Sequence, residues 1–141
     1  ELLRDAGVAP RQAIARAGSL PDYINTHACS TPQGDLAEWQ AIRTVFAEHD
    51  APVPPLSSVK GLLGHAPAAA GALDAIAGLL MLQHGFLASG HVPDAVDAAF
   101  ADAPLLDAVR EQRVDSVLSS NFGFGGSCTA LLFRRELEAA A

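Results

Sequence analysis

The chain has 141 residues, of which half are hydrophobic and 18% are charged, and its formal net charge is -7 at pH 7. This length suits one ordinary domain, and the composition is too apolar for a disordered tail, so extensive burial or an oligomeric interface is expected. The acidic balance argues against nucleic acid as a partner.

Cysteine usage and hydropathy exclude further classes of protein. Cys29 and Cys128 form neither a CxxC pair nor a zinc-ligand spacing, so neither a disulfide framework nor a structural metal is predicted, and a reducing cytoplasm is indicated. The first residues lack the pattern of a secretory leader. The longest apolar run, about Pro67 to Leu82, is interrupted by Asp74 and predicts a buried helix rather than a membrane span.

The first elements are expected to be short. Glu1 to Ala6 followed by Gly7 predicts the end of a helix with a glycine C-cap, which indicates a fragment of a longer protein. A polar connection from Arg11 to Leu20, which could hold a short helix, comes next. The β-branched and aromatic content of Asp22 to His27 then predicts a strand, with His27 at its C-terminal end.

A helix and a second extended segment follow. Pro32 to Gly34 predicts a turn, and Asp35 with Glu38 three residues later is typical of a helix N-cap, so a helix is expected from Asp35 to about His49. Prolines end that helix. They lead into an extended segment, Leu56 to Val59, and a turn that carries Lys60 and His65.

The remaining residues predict one long helix and a hairpin. Ala68 to His84 is expected to be helical, with Gly85 as C-cap and small residues that allow close packing. The segment from Leu87 to Gln112 predicts a loop with one short helix near Leu105 to Glu111. Val114 to Ser119 and Cys128 to Arg134 predict two strands, joined by the glycine-rich residues 121–126.

Two of the five histidines are candidates for a site. His27 and His65 each follow an extended segment and have small or hydroxylated neighbours, a pattern typical of a wall that a substrate approaches. Taken singly, each could be a hydrogen-bonded structural histidine. The other three, His49, His84 and His91, are expected at the surface.

Lys60 is the only lysine among nine basic residues. A chain that otherwise uses arginine is expected to keep lysine where a compact ammonium is required, although a solitary surface lysine is the alternative. Glu38 is a candidate ion-pair partner for Lys60. Helix capping is an equally good role for Glu38, and the two roles are compatible.

The loop from Asn121 to Gly126 resembles a phosphate cradle only superficially, because it lacks a P-loop lysine and joins strand to strand. Its glycines, Gly123, Gly125 and Gly126, permit a sharp turn that aims backbone amides at a ligand. Two aromatic residues, Phe122 and Phe124, can line or gate an apolar tunnel, or pack in the core.

Together these motifs resemble the C-terminal part of a β-ketoacyl-(acyl-carrier-protein) synthase, the condensing enzyme of the thiolase superfamily. The family's HGTSTxxGD motif is similar to residues 27–35, its KxxxGHxxxAAG motif to residues 60–71, and its NSFGFGGTN motif to residues 120–128. The resemblance runs from about Tyr23 to Arg134 in matching order and spacing.

The resemblance implies an α/β fold, the C-terminal half of the layered thiolase-like (α-β-α-β-α) architecture with a mixed sheet. The whole chain, residues 1–141, would be this half. The nucleophilic cysteine would lie in an N-terminal half that is absent from the chain, and Cys29 and Cys128 would be packing residues.

The implied reaction is decarboxylative Claisen condensation of a malonyl thioester with an acyl-enzyme, in fatty acid or polyketide biosynthesis. His27 and His65 would donate hydrogen bonds to the thioester oxygen, while Lys60 and Glu38 would hold the local charge and orientation. The amide of Phe124 in the glycine loop would complete an oxyanion hole. Thr31 would bind pantetheine.

No cofactor or metal is implied, because the phosphopantetheine belongs to the acyl carrier protein substrate. The expected partners are that carrier protein, the N-terminal half, and either a second copy or a related synthase subunit, with no nucleic acid and no membrane. The resemblance therefore implies a cytoplasmic dimer.

Three departures from the family's motifs bear on substrate binding and loop geometry. Ala28 and Cys29 replace glycine and threonine, Ser120 and Asn121 exchange the usual order, and Ser127 with Cys128 replaces threonine and asparagine.

Two alternative functions stay open. One is a thiolase-type acyltransferase, which the glycine loop disfavours; the other is a non-catalytic subunit like a chain-length factor, which the two histidines and the lysine disfavour.

Overall fold

The computed structural model describes residues 2–135, and describes side chains from residue 7 onward. The elements are α1 (Leu2–Ala17), β1 (Tyr23–Asn25), α2 (Pro32–Ala47), β2 (Leu56–Ser57), α3 (Lys60–Leu63), α4 (Ala70–His84), β3 (Phe86–Leu87), a 3₁₀ turn (Ala98–Phe100), β4 (Arg110–Glu111), β5 (Ser116–Phe122) and β6 (Cys128–Arg134).

Four of the strands form one mixed sheet in the order β2-β1-β5-β6. β1 runs parallel to both neighbours, with Ile24 opposite Leu56 on β2 and Leu118 on β5. β5 and β6 form an antiparallel hairpin that pairs seven residues of each strand. β3 and β4 make a separate two-stranded antiparallel ribbon. The α/β class and the mixed sheet predicted from the sequence are confirmed.

The side chains of the central strands alternate between two cores. Tyr23 and Val117 belong to a cluster with Met81 of α4, on one face of the sheet. Ile24 and Leu118 belong to a second cluster with Trp39 of α2, on the other face. Because successive side chains of a strand point to opposite faces, the sheet packs against α4 on one face and α2 on the other. The result is three layers, helix, sheet and helix, with α1 packed beside α2. The further two layers implied by the resemblance would require a second sheet.

The expected end of the first helix at Gly7 was wrong. α1 continues through Gly7, the expected C-cap, and through Pro10. It ends at Ala17, within the segment that was expected to be a polar connection. Gly7, Pro10 and Ile14 are all buried, at helical spacing, so packing of this face outweighs the helix-breaking tendencies of glycine and proline. The helix ends before Gly18, which has a φ of 66°.

The start of α2 and one expected short helix also differ from prediction. α2 begins at Pro32 rather than Asp35, with Thr31 as N-cap, because proline suits the first turn of a helix. The helix expected near Leu105 to Glu111 is absent from the described residues. Leu105 instead forms a parallel bridge with Leu56, and the Leu106 amide donates to the Leu56 carbonyl, so this segment lies extended along β2.

α4 confirms the strongest helix prediction, including its cap. Gly85 adopts the left-handed conformation and its amide donates to the Met81 carbonyl. Gly78 faces the sheet, where a Cβ would lie 3.2 Å from Val117, so the missing side chain allows close approach of helix and strand. None of the helices in residues 2–135 is long and apolar enough to cross a membrane.

Candidate active site

The predicted site residues lie at one edge of the sheet. β1, β2 and β5 are parallel, so their C-terminal ends share that edge. His27 follows β1, Lys60 follows β2, and Phe122 ends β5. In open α/β sheets this edge is where ligands bind.

The two histidines converge as predicted. The ring centroids of His27 and His65 lie 5.7 Å apart, with an angle of 88° between the ring planes. Phe122 contacts the other side of His27, at 5.5 Å between ring centroids. His27 is half-buried and His65 is exposed. His49, His84 and His91 are exposed, as expected, and none belongs to this cluster.

His27 is held in its neutral form. Burial lowers the pKa of its imidazole below the ordinary 6.5, and the positive charge of Lys60 lowers the pKa further. A hydrogen bond with the Asn121 side chain acts in the opposite direction. A neutral ring at pH 7 has one N–H to donate and one nitrogen to accept, which suits a hydrogen-bond donor to a developing oxyanion.

Glu38 does not pair with Lys60, and it does not cap α2. Its carboxylate accepts hydrogen bonds from the backbone amides of His27 and Ala28, each at 2.9 Å, and so fixes the chain on both sides of the His27 Cα. Burial raises the pKa of Glu38 to about 7, although the two amides lower it. The prediction of ion pairing was wrong because the carboxylate is already committed to those two backbone donors.

The partner of Lys60 is Asp74, a residue that the sequence reasoning missed as a site residue. The Lys60 Nζ lies 2.5 Å from the Asp74 carboxylate, and the two side chains are 5% and 1% exposed. The available signal was an acidic residue on the buried face of an otherwise apolar helix, since an unpaired charge is rarely tolerated there. Lys60 is therefore not a solitary surface lysine.

Asn25 is a second residue that was missed. Its side-chain oxygen accepts a hydrogen bond from the Val59 amide at 3.2 Å, and Asn25 is fully buried. This bond ties the end of β1 to the residue that precedes Lys60. It therefore fixes the His27 segment relative to α3.

The glycine loop is shorter than predicted, because β5 extends to Phe122 and the strands are joined by residues 123–127. The Gly123 amide donates to the Ser127 carbonyl at 2.7 Å and closes the loop. Gly125 and Gly126 have φ values of 87° and 88°, which only glycine adopts without strain. The Phe124 side chain is fully exposed, so it is not a core residue of this chain.

Thr31 is the N-cap residue of α2 and follows the His27 segment along the chain. It is exposed at the start of α2 and lines a cavity of about 810 Å³ between α2 and the segment that carries the 3₁₀ turn. The Cys29 Sγ lies 3.7 Å from the Thr31 hydroxyl. The cavity wall includes Trp39 and Phe100, so it is largely apolar.

Fold and site together define a ketosynthase architecture. The chain superposes on a β-ketoacyl synthase from Burkholderia phymatum with a TM-score of 0.85 and 33% identity, covering 95% of this chain and 33% of that one. It also superposes, with a TM-score of 0.76 and 26% identity, on the ketosynthase complex AntDE:AntF, covering 92% of this chain and 32% of that one.

The family follows from the sequence match. The family model for the β-ketoacyl synthase C-terminal domain matches residues 3–91, so the chain belongs to this family. It is similar to 3-oxoacyl-(acyl-carrier-protein) synthase 1 of Haemophilus influenzae, 39% identical over 126 residues, which are 89% of this chain and 30% of that protein. The chain therefore spans about a third of the length of such relatives.

Proposed function

We propose that the protein to which this chain belongs is a β-ketoacyl-(acyl-carrier-protein) synthase that condenses a malonyl thioester with an acyl-enzyme. The observation that carries this proposal is the pairing of His27 and His65 at 5.7 Å, at the sheet edge where Lys60 is also buried. Two imidazoles at this spacing can both reach one small oxygen atom.

The chemistry has two steps. The bond between the malonyl carboxylate and its α-carbon breaks, carbon dioxide leaves, and the electron pair forms a thioester enolate. The enolate carbon then attacks the acyl-enzyme carbonyl, a carbon–carbon bond forms, and the cysteine thiolate leaves. His27 and His65 donate hydrogen bonds to the enolate oxygen, and a donor aimed in this way is worth roughly 10²–10³ in rate.

The other polar groups position these donors. The Glu38 carboxylate holds the two amides around His27, and Asn25 holds the residue before Lys60. In addition to burial, the positive charge of Lys60 lowers the pKa of the His27 imidazole and favours its neutral form, although the paired Asp74 acts in the opposite direction. We assign these groups positioning roles, since each acts on a histidine or on its backbone.

The glycine loop supplies the oxyanion hole of the acyl-transfer steps. The Phe124 amide is the donor from this chain, and the amide of the nucleophilic cysteine is the other. Gly125 and Gly126 give the loop the turn that aims this amide. The exposed Phe124 and the ring of Phe122 beside His27 line the entrance for the acyl chain.

The substrate carrier is the acyl carrier protein, whose phosphopantetheine arm hydrogen-bonds to Thr31. In one similar structure a type II polyketide synthase acyl-carrier protein is in complex with its ketosynthase. Thr31 is exposed at the mouth of the apolar cavity, which suits an arm that enters from the surface. The chain serves fatty acid or polyketide biosynthesis in the cytoplasm.

The first half of the synthase, which carries the nucleophilic cysteine, covers the outer face of α4. This face and α3 expose five large apolar side chains, each at least 42% accessible: Leu62, Leu63, Ile76, Leu79 and Leu80. A patch of this kind marks an interface. The complete synthase forms a homodimer or a heterodimer with a related subunit.

The test replaces each histidine in the full-length protein. His27→Ala and His65→Ala are expected to lower malonyl decarboxylation by roughly 10²–10³ while acyl transfer to the enzyme is partly retained. His84→Ala, an exposed histidine at the end of α4, is the matched control. Unchanged decarboxylation in both site variants would refute the proposed role.

A further inference from the structure

We propose that His27, Cys29 and His65 form a zinc-binding site whose occupation blocks the condensation reaction. The three side chains each offer one ligand atom, and these atoms all lie within 4.8 Å of one another. No metal-binding motif in the sequence predicts this site, because His65 comes from a different segment of the chain than His27 and Cys29. The fold alone brings the third ligand to the other two.

The geometry needs only a small adjustment. Zinc bonds of about 2.0 Å to nitrogen and about 2.3 Å to sulfur place neighbouring ligand atoms of a tetrahedral site about 3.3–3.6 Å apart. The three atoms must therefore close by at most about 1.5 Å, which side-chain rotation of the exposed His65 and the half-buried Cys29 can supply.

The ligand chemistry favours a borderline-soft divalent ion. Two imidazoles and one thiolate are typical zinc ligands, whereas calcium and magnesium prefer oxygen. The Nδ1 atom of His27 is buried and has no hydrogen-bond partner among the described residues, so one ring nitrogen is not already committed. On binding, the Cys29 thiol releases one proton to solvent, and the fourth position is left to water.

Cys29 makes this site a property of the present chain. The family motif that residues 27–35 resemble has threonine at this position, and a threonine hydroxyl is a poor zinc ligand beside a thiolate. A bound zinc ion would fix both imidazole rings and fill the space between them, which the thioester oxygen needs during condensation. This inhibitory consequence rests on the proposed function, whereas the binding itself does not.

The binding test uses the full-length protein, with Co²⁺ as the spectroscopic probe and Zn²⁺ affinity measured by competition with a chelating dye. Because the nucleophilic cysteine of the first half would lie near the same imidazoles, Cys29→Thr is compared with Cys128→Ser, the other thiol of the chain. We expect the thiolate-to-cobalt absorption band in wild type and Cys128→Ser and its loss in Cys29→Thr, since a thiolate is required for that band.

The Zn²⁺ affinity of Cys29→Thr should fall by at least roughly 100-fold, because even outer-shell partners of a zinc ligand are worth 10–100-fold. Cys29→Ser is measured alongside, with circular dichroism to show that each variant is folded. An unchanged band and affinity in the folded variants would overturn the site and leave the proposed function untouched.

The inhibition test measures malonyl decarboxylation with and without Zn²⁺. Wild type and Cys128→Ser should lose activity and regain it with a chelator, while Cys29→Thr should tolerate at least tenfold more Zn²⁺. Binding through Cys29 without inhibition would keep the metal site and overturn its consequence for the reaction. In that case the proposed role of the histidines would fall as well.

Discussion

The Lys60 ammonium lies 2.5 Å from the Asp74 carboxylate, with both side chains almost fully buried. This pair joins the first residue of α3 to the buried face of α4, across the base of the candidate site. It also places a positive charge near His27. One buried ion pair thus links the packing of α4 to the electrostatics of the histidines.

The first prediction concerns the stability of this pair. Asp74→Leu is expected to lower the free energy of unfolding by about 3–5 kcal/mol, because it leaves the Lys60 charge buried without a partner. The double variant Lys60→Met/Asp74→Leu should recover most of that loss, since two apolar side chains of similar volume can replace the pair. Chemical denaturation of the full-length protein measures both, and a double variant no more stable than the single one would contradict this account.

The second prediction concerns the charge on His27. Lys60 is one cause of its lowered pKa, so Lys60→Met should raise the pKa of His27 toward the ordinary 6.5. The lowered value means that folding favours the neutral ring, so its contribution to stability grows as pH rises through the folded pKa toward 6.5. NMR titration of the imidazole resonances measures the shift.

The exposed His84 serves as the internal reference in that titration. The Asp74 carboxylate raises the His27 pKa whereas Lys60 lowers it, so Asp74→Asn should shift the His27 pKa in the opposite direction from Lys60→Met. A His27 pKa that is the same in wild type and in both single variants would show that neither charge contributes to it.

The convergence of the site was predictable because its residues follow parallel strands. His27 and Lys60 follow strands, and Phe122 ends a strand, that share one sheet edge. A helix between two strands, such as α2 between β1 and β2, favours parallel pairing. The alternation of Tyr23 and Ile24 between two cores is likewise a local property of the sequence.

The partners of Glu38 and Lys60 could not be predicted, because they depend on where two helices are placed against the sheet. Glu38 reaches backbone amides of the β1 exit rather than a side chain. Lys60 finds Asp74 fourteen residues away, on the next long helix. Similarly, α1 persists through Pro10 because tertiary burial of one face overrides local propensity.

The third prediction concerns Glu38 and pH. Its folded pKa is about 7, against an ordinary value of 4.5, so between these pH values the folded protein keeps a proton that the unfolded chain has released. The free energy of unfolding should therefore fall as pH rises through this window, by about 3 kcal/mol at most. Glu38→Gln should remove this part of the pH dependence.

Denaturation of wild type and Glu38→Gln at pH 5, 6, 7 and 8 measures the difference between their unfolding free energies. Asp35, a half-buried carboxylate one turn earlier on α2, is one cause of the raised Glu38 pKa, so Asp35→Asn should lower that pKa and narrow the pH window without abolishing it. A wild-type slope identical to that of Glu38→Gln would show that the carboxylate is ionised throughout this range.

The last prediction separates backbone conformation from side-chain size in the glycine loop. Gly126 has a φ of 88°, so Gly126→Ala places an alanine in a left-handed conformation, at a cost of roughly 1–2 kcal/mol. The loop relieves this strain by changing its backbone conformation, which turns its amides away. Gly123 lacks a positive φ, and a Cβ there would lie 3.6 Å from Ser127, an ordinary contact. Gly123→Ala is therefore the matched control.

If the proposed function holds, Gly126→Ala should lower kcat for acyl transfer and condensation by tenfold or more, because the Phe124 amide no longer donates a hydrogen bond to the oxyanion. Carrier-protein KM should change little, since Thr31 and the cavity wall are untouched. Equal losses of kcat in Gly126→Ala and Gly123→Ala would mean that added bulk, and not the direction of the amide, limits the reaction.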